Sequence, residues 1–171
     1  MKLSLIMNIT SIFLLAGCAT VAHPEVPVIK NHLSKVEAEQ MKRDYRVLAN
    51  TRDGIGIEGG QNYPLFAFGP VVKVISPEAG KTFDTGFDKA IGALLLDSGG
   101  WFIVGMGLGS TLRDQFTQTS TWELAGGATA ILGGFLLRQN ALHDLGTAIE
   151  LYNEELNRKI EQSSEPQPIA P

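Results

Sequence analysis

Apolar side chains form a regular stripe in the early part of the chain. Between residues 31 and 50, Ala38, Met41, Tyr45 and Leu48 recur at spacings of three and four among charged neighbours. Because an α-helix turns once in 3.6 residues, this spacing places all four on one face. The segment is predicted to be an amphipathic helix whose other face is exposed to water.

A second stripe lies late in the chain, between residues 138 and 162. Its apolar positions alternate in steps of three and four: Leu142, Leu145, Ile149, Tyr152, Leu156 and Ile160. The pattern resembles a coiled-coil seam, although it extends over only about three heptads. Two partners fit so short a seam equally well, the helix at 31–50 or a second copy of the chain. A long C-terminal helix is predicted in either case.

Two segments between these stripes are apolar with few interruptions. Residues 90–112 are broken only by Asp97, and residues 122–137 contain no charge after Glu123. They predict a helical hairpin over 90–137. At a rise of 1.5 Å per residue, the second segment covers about 24 Å, which is short of a hydrocarbon core of about 30 Å. The hairpin is therefore at the margin of transmembrane length, and packing against a partner protein is the alternative.

Small residues recur at every fourth position in both apolar segments. Gly105 and Gly109 form a GxxxG pair, and Gly126, Ala130 and Gly134 continue the same spacing. Such faces let two helices approach closely in a membrane. Glycine inside a helix costs about 1 kcal/mol without such packing, so close packing is favoured over glycine that merely loosens loops or buried helices. The five residues are predicted to pack the hairpin or to join copies of it.

The region between residues 54 and 76 is harder to interpret. Residues 54–59 fit the spacing of a dinucleotide-binding glycine motif, but that motif requires a preceding strand and a following helix. Neither neighbour is evident in the sequence, so a loop is predicted. Residues 65–76 predict a short strand or a buried linker, in which Pro70 would limit any hydrogen-bonded ladder.

The N-terminus has the layout of an export signal. Lys2 is followed by an apolar run at 3–15 and by the sequence Leu15-Ala16-Gly17-Cys18. These four residues resemble the lipobox of bacterial lipoproteins. The resemblance implies that residues 1–17 are a signal peptide that is removed and that Cys18 then carries a diacylglyceryl group. The alternative is an uncleaved anchor, which the polar residues Asn8 and Thr10 disfavour.

Cys18 is the only cysteine, so the chain has no intramolecular disulfide. Residues 18–30, with Pro24 and Pro27, are predicted to be an extended, lipidated tether. Two or more acyl chains would hold the protein durably in a membrane. By the same resemblance, Ala19 after the cysteine favours the outer membrane, with the protein facing the periplasm.

The charge distribution supports this location. Removal of residues 1–17 takes away one lysine and makes the formal charge of −4 more negative by one. No basic cluster remains, which argues against nucleic acid as a partner. Basic residues flank the apolar segments, contrary to the positive-inside tendency of an inner-membrane hairpin: they are Lys81, Lys89, Arg138, Arg158 and Lys159.

Few residues suggest chemistry. An ionisable group within a membrane helix, as Asp97 would be, is a candidate for function. A cap or interface position, with a helix that begins at Ser98, is favoured over this, because aspartate is a preferred N-cap and no basic residue of the second apolar segment could pair with a buried carboxylate. His23, His32 and His143 lack the spacing of metal ligands. No catalytic residue, cofactor, metal or small-molecule substrate is predicted, and the protein is not expected to be an enzyme.

A second resemblance covers about half of the chain. It rests on Gly99-Gly100-Trp101, on Trp122-Glu123-Leu124-Ala125-Gly126 and on Ala148-Ile149-Glu150-Leu151-Tyr152-Asn153. These motifs resemble those of small bacterial membrane proteins with a glycine-rich two-helix hairpin. The resemblance supports the architecture and implies no reaction.

Together the patterns predict a mainly α protein with a single helical region at 31–162 and a disordered tail at 163–171. The expected function is that of a lipid-anchored envelope protein with a structural or interaction role, whose partners are membrane lipid and other envelope proteins. The alternative is a subunit of an oligomeric envelope pore, or of the accessory ring of a transport or secretion machine.

Overall fold

The computed structural model describes residues 24–50, 54–58, 62–114 and 118–164, and in them the chain is mainly helical, as predicted. In chain order the elements are α1 (Lys35–Tyr45), β1 (Val47–Asn50), β2 (Gly54–Ile57), β3 (Asn62–Tyr63), α2 (Leu65–Ile75), α3 (Pro77–Asp114) and α4 (Gln118–Ser164). The three strands form one antiparallel sheet in the order β1-β2-β3.

The long helices α3 and α4 pack along each other, and the smaller elements surround only one end of the pair. An ion pair of 2.6 Å between Lys89 Nζ and Asp144 Oδ2 marks the boundary. We call the described residues 24–89 and 144–164 the head, and residues 90–114 and 118–143 the arm. The large buried side chains of the core, among them Phe68, Phe83 and Tyr152, all lie in the head.

Local sequence signals explain where the head helices begin. Ser34 and Glu37 form a capping box at the start of α1, since each side chain accepts a hydrogen bond from the other residue's backbone N–H. Ser76 ends α2 and starts α3, where its Oγ accepts the backbone N–H of Ala79 at 3.2 Å. Pro77 then occupies the first helical position, which lacks an intrahelical partner in any case.

The predicted helix over 31–50 is wrong at its C-terminal end. The helix stops at Tyr45, and residues 47–50 form β1 instead. Arg46 has the extended values φ −67° and ψ 126°, and the backbone of Val47 is bound by the side chain of Asn153. Tertiary hydrogen bonds therefore override a continuing helical pattern. Ala38, Met41 and Tyr45 do face the core, whereas Leu48 is exposed on a strand.

The loop predicted over 54–59 is also wrong for its first four residues. Gly54–Ile57 is a strand that pairs with β1, with Val47 opposite Ile57. Ile55 is buried in the core, which explains why the alternating glycines and isoleucines form a half-buried strand. Gly59 lies outside the described residues. The antiparallel pairing differs from the parallel βαβ unit that a dinucleotide motif requires.

Residues 65–76, predicted to be a strand or linker, form helix α2 from Leu65 to Ile75, with Pro70 inside it. Proline removes one backbone hydrogen bond. The loss is offset by burial of a complete apolar face: Ala67, Phe68, Val71, Val72 and Ile75. The spacing of these residues is helical, and Pro70 led to the wrong interpretation.

The two apolar segments do form helices of a hairpin, but both helices extend far beyond the predicted bounds. The C-terminal helix is not a separate element, because α4 is continuous from Gln118 to Ser164. Its apolar seam packs inside the same chain, against α1 and α2. Ser163 and Ser164, predicted to be disordered, are helical; residues 165–171 lie outside the described part.

Residues 24–30 have no regular secondary structure, yet they are not free of the body. Pro24 and Pro27 are buried, and Ile29 packs against the core cluster. The described part of the N-terminal segment therefore packs on the head. Cys18, the predicted acylation residue, lies outside the described residues.

Candidate functional site

The arm is held together by small residues at every seventh position of both helices. On α3 the buried series is Ala79, Gly86, Ala93, Gly100 and Gly107, and on α4 it is Ser120, Gly127, Gly134, Ala141 and Ala148. A seven-residue period keeps one face of a helix turned toward its partner over many turns. The two series run the full length of the pair, from the head to the tip of the arm.

The closest approach is between Gly100 and Gly127. A Cβ built on Gly100 would lie 2.8 Å from the carbonyl oxygen of Gly127, and a Cβ on Gly127 would lie 2.8 Å from the carbonyl oxygen of Gly100. No side chain fits between backbones at this distance. The glycines are therefore required by contact between the two helices, as in tightly packed membrane helix pairs.

The structure places only part of the five predicted packing residues in the contact between the two helices. Gly134 lies in the contact, where a Cβ would be 2.6 Å from Asp97 Oδ1. Gly105, Gly109 and Gly126 face away from the partner helix, with nothing within 4 Å of a built Cβ, and Ala130 is half-buried. The spacing of four therefore does not identify the hairpin contact, whereas the spacing of seven, which is readable in the sequence, does.

The outer surface of the arm is strongly apolar. More than half of the side-chain surface is exposed at Leu94, Leu95, Trp101, Phe102, Leu112, Trp122, Leu132, Phe135 and Leu136. Among the described helices, Pro77–Arg113 is long and apolar enough to cross a membrane, and only 17% of its most apolar window is buried in the protein. A core helix of a water-soluble protein would bury most of such a window. Large exposed apolar patches mark contact sites for lipid or protein.

Asp97 is not a helix cap. Helix α3 continues without interruption from Pro77 to Asp114, so the predicted capping role is wrong. The residue is half-buried on the side of α3 that faces α4, beside the backbone of Gly134. The absence of a side chain at Gly134 creates the space that the Asp97 carboxylate occupies.

A cleft opens beside Asp97 where the arm joins the head. Its volume is about 290 Å³, and its walls are formed by both long helices and the start of α2: Leu65, Ala90, Ala93, Leu94, Asp97, Arg138, Ala141, Leu142 and Leu145. Arg138 is thus close to Asp97, although the sequence suggested no basic partner for this carboxylate. The spacing within α4 contained the signal, since Arg138 follows Gly134 by one helical turn.

A second polar contact joins the helices near the tip. Ser110 Oγ lies 3.3 Å from Glu123 Oε2 and 2.9 Å from the carbonyl oxygen of Gly107. Glu123 is half-buried and its Cβ approaches Gly107. The carboxylates on the inner side of the arm are therefore each placed next to a glycine of the opposite helix.

The motif Ala148–Asn153, one basis of the resemblance to small membrane proteins, has a structural role in the head. Tyr152 donates its hydroxyl to the carbonyl oxygen of Tyr45 at 3.2 Å, and burial raises the pKa of that hydroxyl well above its usual value. Asn153 donates to the carbonyl oxygen of Val47 at 2.9 Å and accepts its N–H at 3.0 Å. Two adjacent side chains therefore fix the junction of α1 and β1.

The histidines give no metal site in the part of the chain that is described. His32 lies in the turn before α1 with φ 66°, His143 lies on α4, and His23 is outside the described residues. No group of three or more histidine, cysteine, aspartate or glutamate side chains in the described ranges could hold a metal ion. The candidates for function are therefore the apolar surface of the arm and the cleft beside Asp97.

Similarity to known proteins does not identify a function for this chain, so its interpretation rests on the geometry. No family model, no curated protein and no solved structure matches the chain.

Proposed function

We propose that this protein is a lipid-anchored envelope protein whose arm inserts into the bilayer while its head remains at the water-exposed surface. Its role is structural or one of interaction, without catalysis. The observation that carries the proposal is the contrast between the apolar exterior of the arm and the head, which encloses most of its large apolar side chains in a core. Lipid is the occupant that covers an apolar surface on every side of a helix pair.

The dimensions support insertion. Residues 90–114 of α3 extend about 36 Å at 1.5 Å per residue, and the exposed apolar residues from Ile91 to Leu112 extend about 32 Å. A hydrocarbon core is about 30 Å thick. Arg113 at the tip and the Lys89–Asp144 pair at the base lie outside this interval. The apolar length of α3 in the arm therefore matches the thickness of one bilayer.

Acylation of Cys18 completes the proposal. Because the described N-terminal segment joins the head, the acyl chains and the arm enter the same membrane from the same side. The lipobox and Ala19 favour the outer membrane, with the head in the periplasm. The acyl group then selects the membrane and the orientation, and the arm supplies additional attachment.

Tryptophan fluorescence tests the insertion directly. The chain has two tryptophans, Trp101 and Trp122, and both are exposed on the arm. The proposal predicts that mixing the protein with phospholipid vesicles shifts their emission to shorter wavelength and protects them from aqueous acrylamide. The head contains no tryptophan, so the whole signal comes from the arm.

Single-tryptophan variants give the depth. Trp101, retained in Trp122→Phe, lies about 15 Å beyond Ile91 and is expected near the bilayer centre. Trp122, retained in Trp101→Phe, lies near the tip. Lipids brominated at the ends of their acyl chains should therefore quench Trp101 more strongly than Trp122. Free access of acrylamide to both residues in the presence of vesicles would refute insertion.

The anchor needs its own test. Wild-type protein is expected to incorporate radiolabelled palmitate in cells, and Cys18→Ala is not. If the arm inserts independently, Cys18→Ala protein remains membrane-bound but fractionates with the wrong membrane. Recovery of this variant in the soluble fraction would show that the lipid alone provides attachment, and an unlabelled wild type would exclude lipidation.

A second candidate function is a subunit of an oligomeric pore or accessory ring. The observation in its favour is that Gly105, Gly109 and Gly126 leave smooth patches on the outside of the arm. Crosslinking in membranes should then yield one discrete multimer that Gly105→Leu or Gly109→Leu abolishes. Gly146→Leu is the matched control, because Gly146 is equally open but lies in the head. Recovery of only the monomer after crosslinking would exclude the ring.

A further inference from the structure

If the arm inserts as proposed, the cleft between head and arm lies at a defined depth in the bilayer. Asp97 follows Lys89 by eight residues on α3, which places it about 12 Å from the base of the arm. Arg138 precedes Asp144 by six residues on α4 and lies about 9 Å from the same base. Since helical side chains tilt toward the N-terminus of their helix, Asp97 leans toward the head and Arg138 toward the tip. The two charged groups therefore lie at nearly the same depth.

On the α4 face of the arm, that depth is where the polar surface ends and the apolar surface begins. On α4 the exposed residues Arg138, Gln139 and Asn140 are polar, and the exposed apolar surface of Phe135 and Leu136 begins directly beyond them. Arginine near the end of a membrane helix places its charge at the interface. On this face the cleft opens at the level of a phospholipid phosphate, whereas the α3 face is apolar from Ile91 onward, so the arm is tilted in the bilayer.

The charges in the cleft lack partners of their own. Within the described part of the chain, neither Asp97 nor Arg138 forms a hydrogen bond or an ion pair, whereas Lys89 and Asp144 at the base are paired at 2.6 Å. The remaining walls are apolar side chains such as Leu94 and Leu142. A volume of about 290 Å³ lies at the lower end of the range of ligand sites, which suits a headgroup better than a whole lipid.

We propose that this cleft binds the headgroup of a phosphatidylethanolamine molecule, with the Arg138 guanidinium on the phosphate and the Asp97 carboxylate on the ammonium group. The inference rests on the proposed insertion of the arm. A guanidinium matches two phosphate oxygens at once, and an ammonium group offers three donors to a carboxylate. An acyl chain of the same lipid continues along the exposed leucines of the arm.

The opposite signs of the two side chains select the headgroup. A phosphatidylglycerol headgroup has the phosphate but no cation, so it leaves the Asp97 carboxylate without a partner. Phosphatidylcholine has the cation, but three methyl groups replace the N–H donors. The preference for ethanolamine over both is therefore expected to depend on Asp97, whereas phosphate binding in general depends on Arg138.

Native mass spectrometry of the full acylated chain in detergent tests this selectivity. The protein is titrated with phosphatidylethanolamine, phosphatidylcholine and phosphatidylglycerol that carry identical acyl chains, and the fraction of lipid-bound protein is measured. Wild type is expected to favour ethanolamine by about tenfold, as for one charge-assisted hydrogen bond. Asp97→Asn, which keeps the shape, should remove the preference. Arg138→Gln should weaken all three lipids, and the control Arg113→Gln at the tip should change none.

Each outcome decides between the two proposals. If the arm inserts by tryptophan fluorescence but wild type shows no headgroup preference, the lipid site is wrong and the proposed function stands. If Asp97→Asn and Arg138→Gln each weaken all three lipids equally and the preference for ethanolamine persists, Asp97 does not bind the ammonium group, and the site is again wrong. If tryptophan fluorescence shows no insertion, both proposals fail.

Discussion

The head and the arm are built from the same two helices, and they differ in how those helices are covered. In the head, α3 and α4 contribute large side chains such as Phe83 and Leu156 to a core that α1, α2 and the sheet close. In the arm, the closest contacts are made by small residues, with half-buried side chains such as Val104 and Ile131 beside them, and most of the large apolar side chains point outward. In both regions buried small residues recur every seventh position, so the difference lies in the surroundings and not in the helix pairing.

Under the proposed insertion, the same seven-residue period holds the two helices together both in water and in lipid. In water, apolar burial stabilises the head, at about 25 cal/mol per Å² of surface removed. The apolar outer surface of the arm is not buried in the protein and therefore adds no such stabilisation. The arm helices are held together by backbone contact and van der Waals packing, which also act in lipid.

The largest expected effect is the loss of a core aromatic ring in the head. Phe68 is 1% exposed and contacts the ring of Tyr63 at a centroid distance of 5.6 Å. Phe68→Ala should destabilise the folded protein by about 3–5 kcal/mol. Phe102→Ala on the arm, where the ring is 68% exposed, should change the stability in lipid-free detergent by less than about 0.5 kcal/mol.

Urea unfolding, followed by circular dichroism, measures the stability of the two variants. In vesicle binding, the order of the two effects should be reversed. Phe102→Ala should weaken insertion because it removes apolar surface from the lipid contact, whereas a folded Phe68→Ala should insert as wild type. Equal losses of stability in the two variants would mean that the arm has a protein-covered surface and that the comparison is wrong.

How much of this could be predicted from the sequence follows from the same contrast. The mainly α fold, the hairpin and the core-facing seam are encoded by local periodicity, and the structure confirms them. The sheet could not be predicted, because Val47 becomes a strand through the side chain of Asn153, which is distant in sequence. Helix α2 had a readable apolar face that Pro70 obscured.

The candidate site was only partly predictable. Asp97 was singled out, but its surroundings depend on which residue of α4 lies opposite, and this register is set by Gly100 and Gly127. Without that register, Arg138 is only a flanking charge. The seven-residue series is present in the sequence, whereas the shorter GxxxG spacing predicts contacts for glycines that face outward.

The next effect distinguishes glycines that face the partner helix from glycines that face outward. Substitution by alanine should change the stability in opposite directions at the two kinds of position. Gly100→Ala places a Cβ 2.7 Å from Ile131 Cγ1 and 2.8 Å from the Gly127 carbonyl oxygen, so it should destabilise the hairpin by about 1–3 kcal/mol. Gly105→Ala meets nothing within 4 Å and should stabilise the helix by about 0.5–1 kcal/mol. Thermal melting by circular dichroism measures both variants. Shifts of the same sign would contradict the register of α3 and α4.

A smaller effect is expected where α4 fixes the sheet. Asn153→Ala removes both hydrogen bonds to the Val47 backbone and should cost about 1–2 kcal/mol, because a part-buried N–H and C=O lose their partners. Asn153→Asp keeps an acceptor and loses the donor, so its effect should be intermediate. Asn157→Ala, one turn later on the exposed side, is the control and should be neutral. Urea midpoints that are equal for positions 153 and 157 would show that the clamp contributes nothing.

The smallest effect is a dependence on pH that is confined to the head, where all three tyrosines of the chain lie. Burial, with a lesser contribution from Tyr45, raises the pKa of Tyr152. The folded state therefore holds the hydroxyl proton more tightly than the unfolded state, in which tyrosine ionises near pH 10. The resulting stability is fully present below about pH 10 and decreases as the pH rises above it.

Tyr152→Phe removes this dependence together with the hydrogen bond to the Tyr45 carbonyl oxygen. It should lower the stability by about 1 kcal/mol at neutral pH and flatten its decline above about pH 10. The measurement is urea unfolding at several pH values, with tyrosinate absorbance recorded in parallel. Since the arm has no tyrosine, vesicle-inserted Trp101 and Trp122 should keep their emission while the head unfolds in alkali. A simultaneous change of both signals would mean that the arm depends on the head for its fold, in which case lipid contact alone does not hold its helices together.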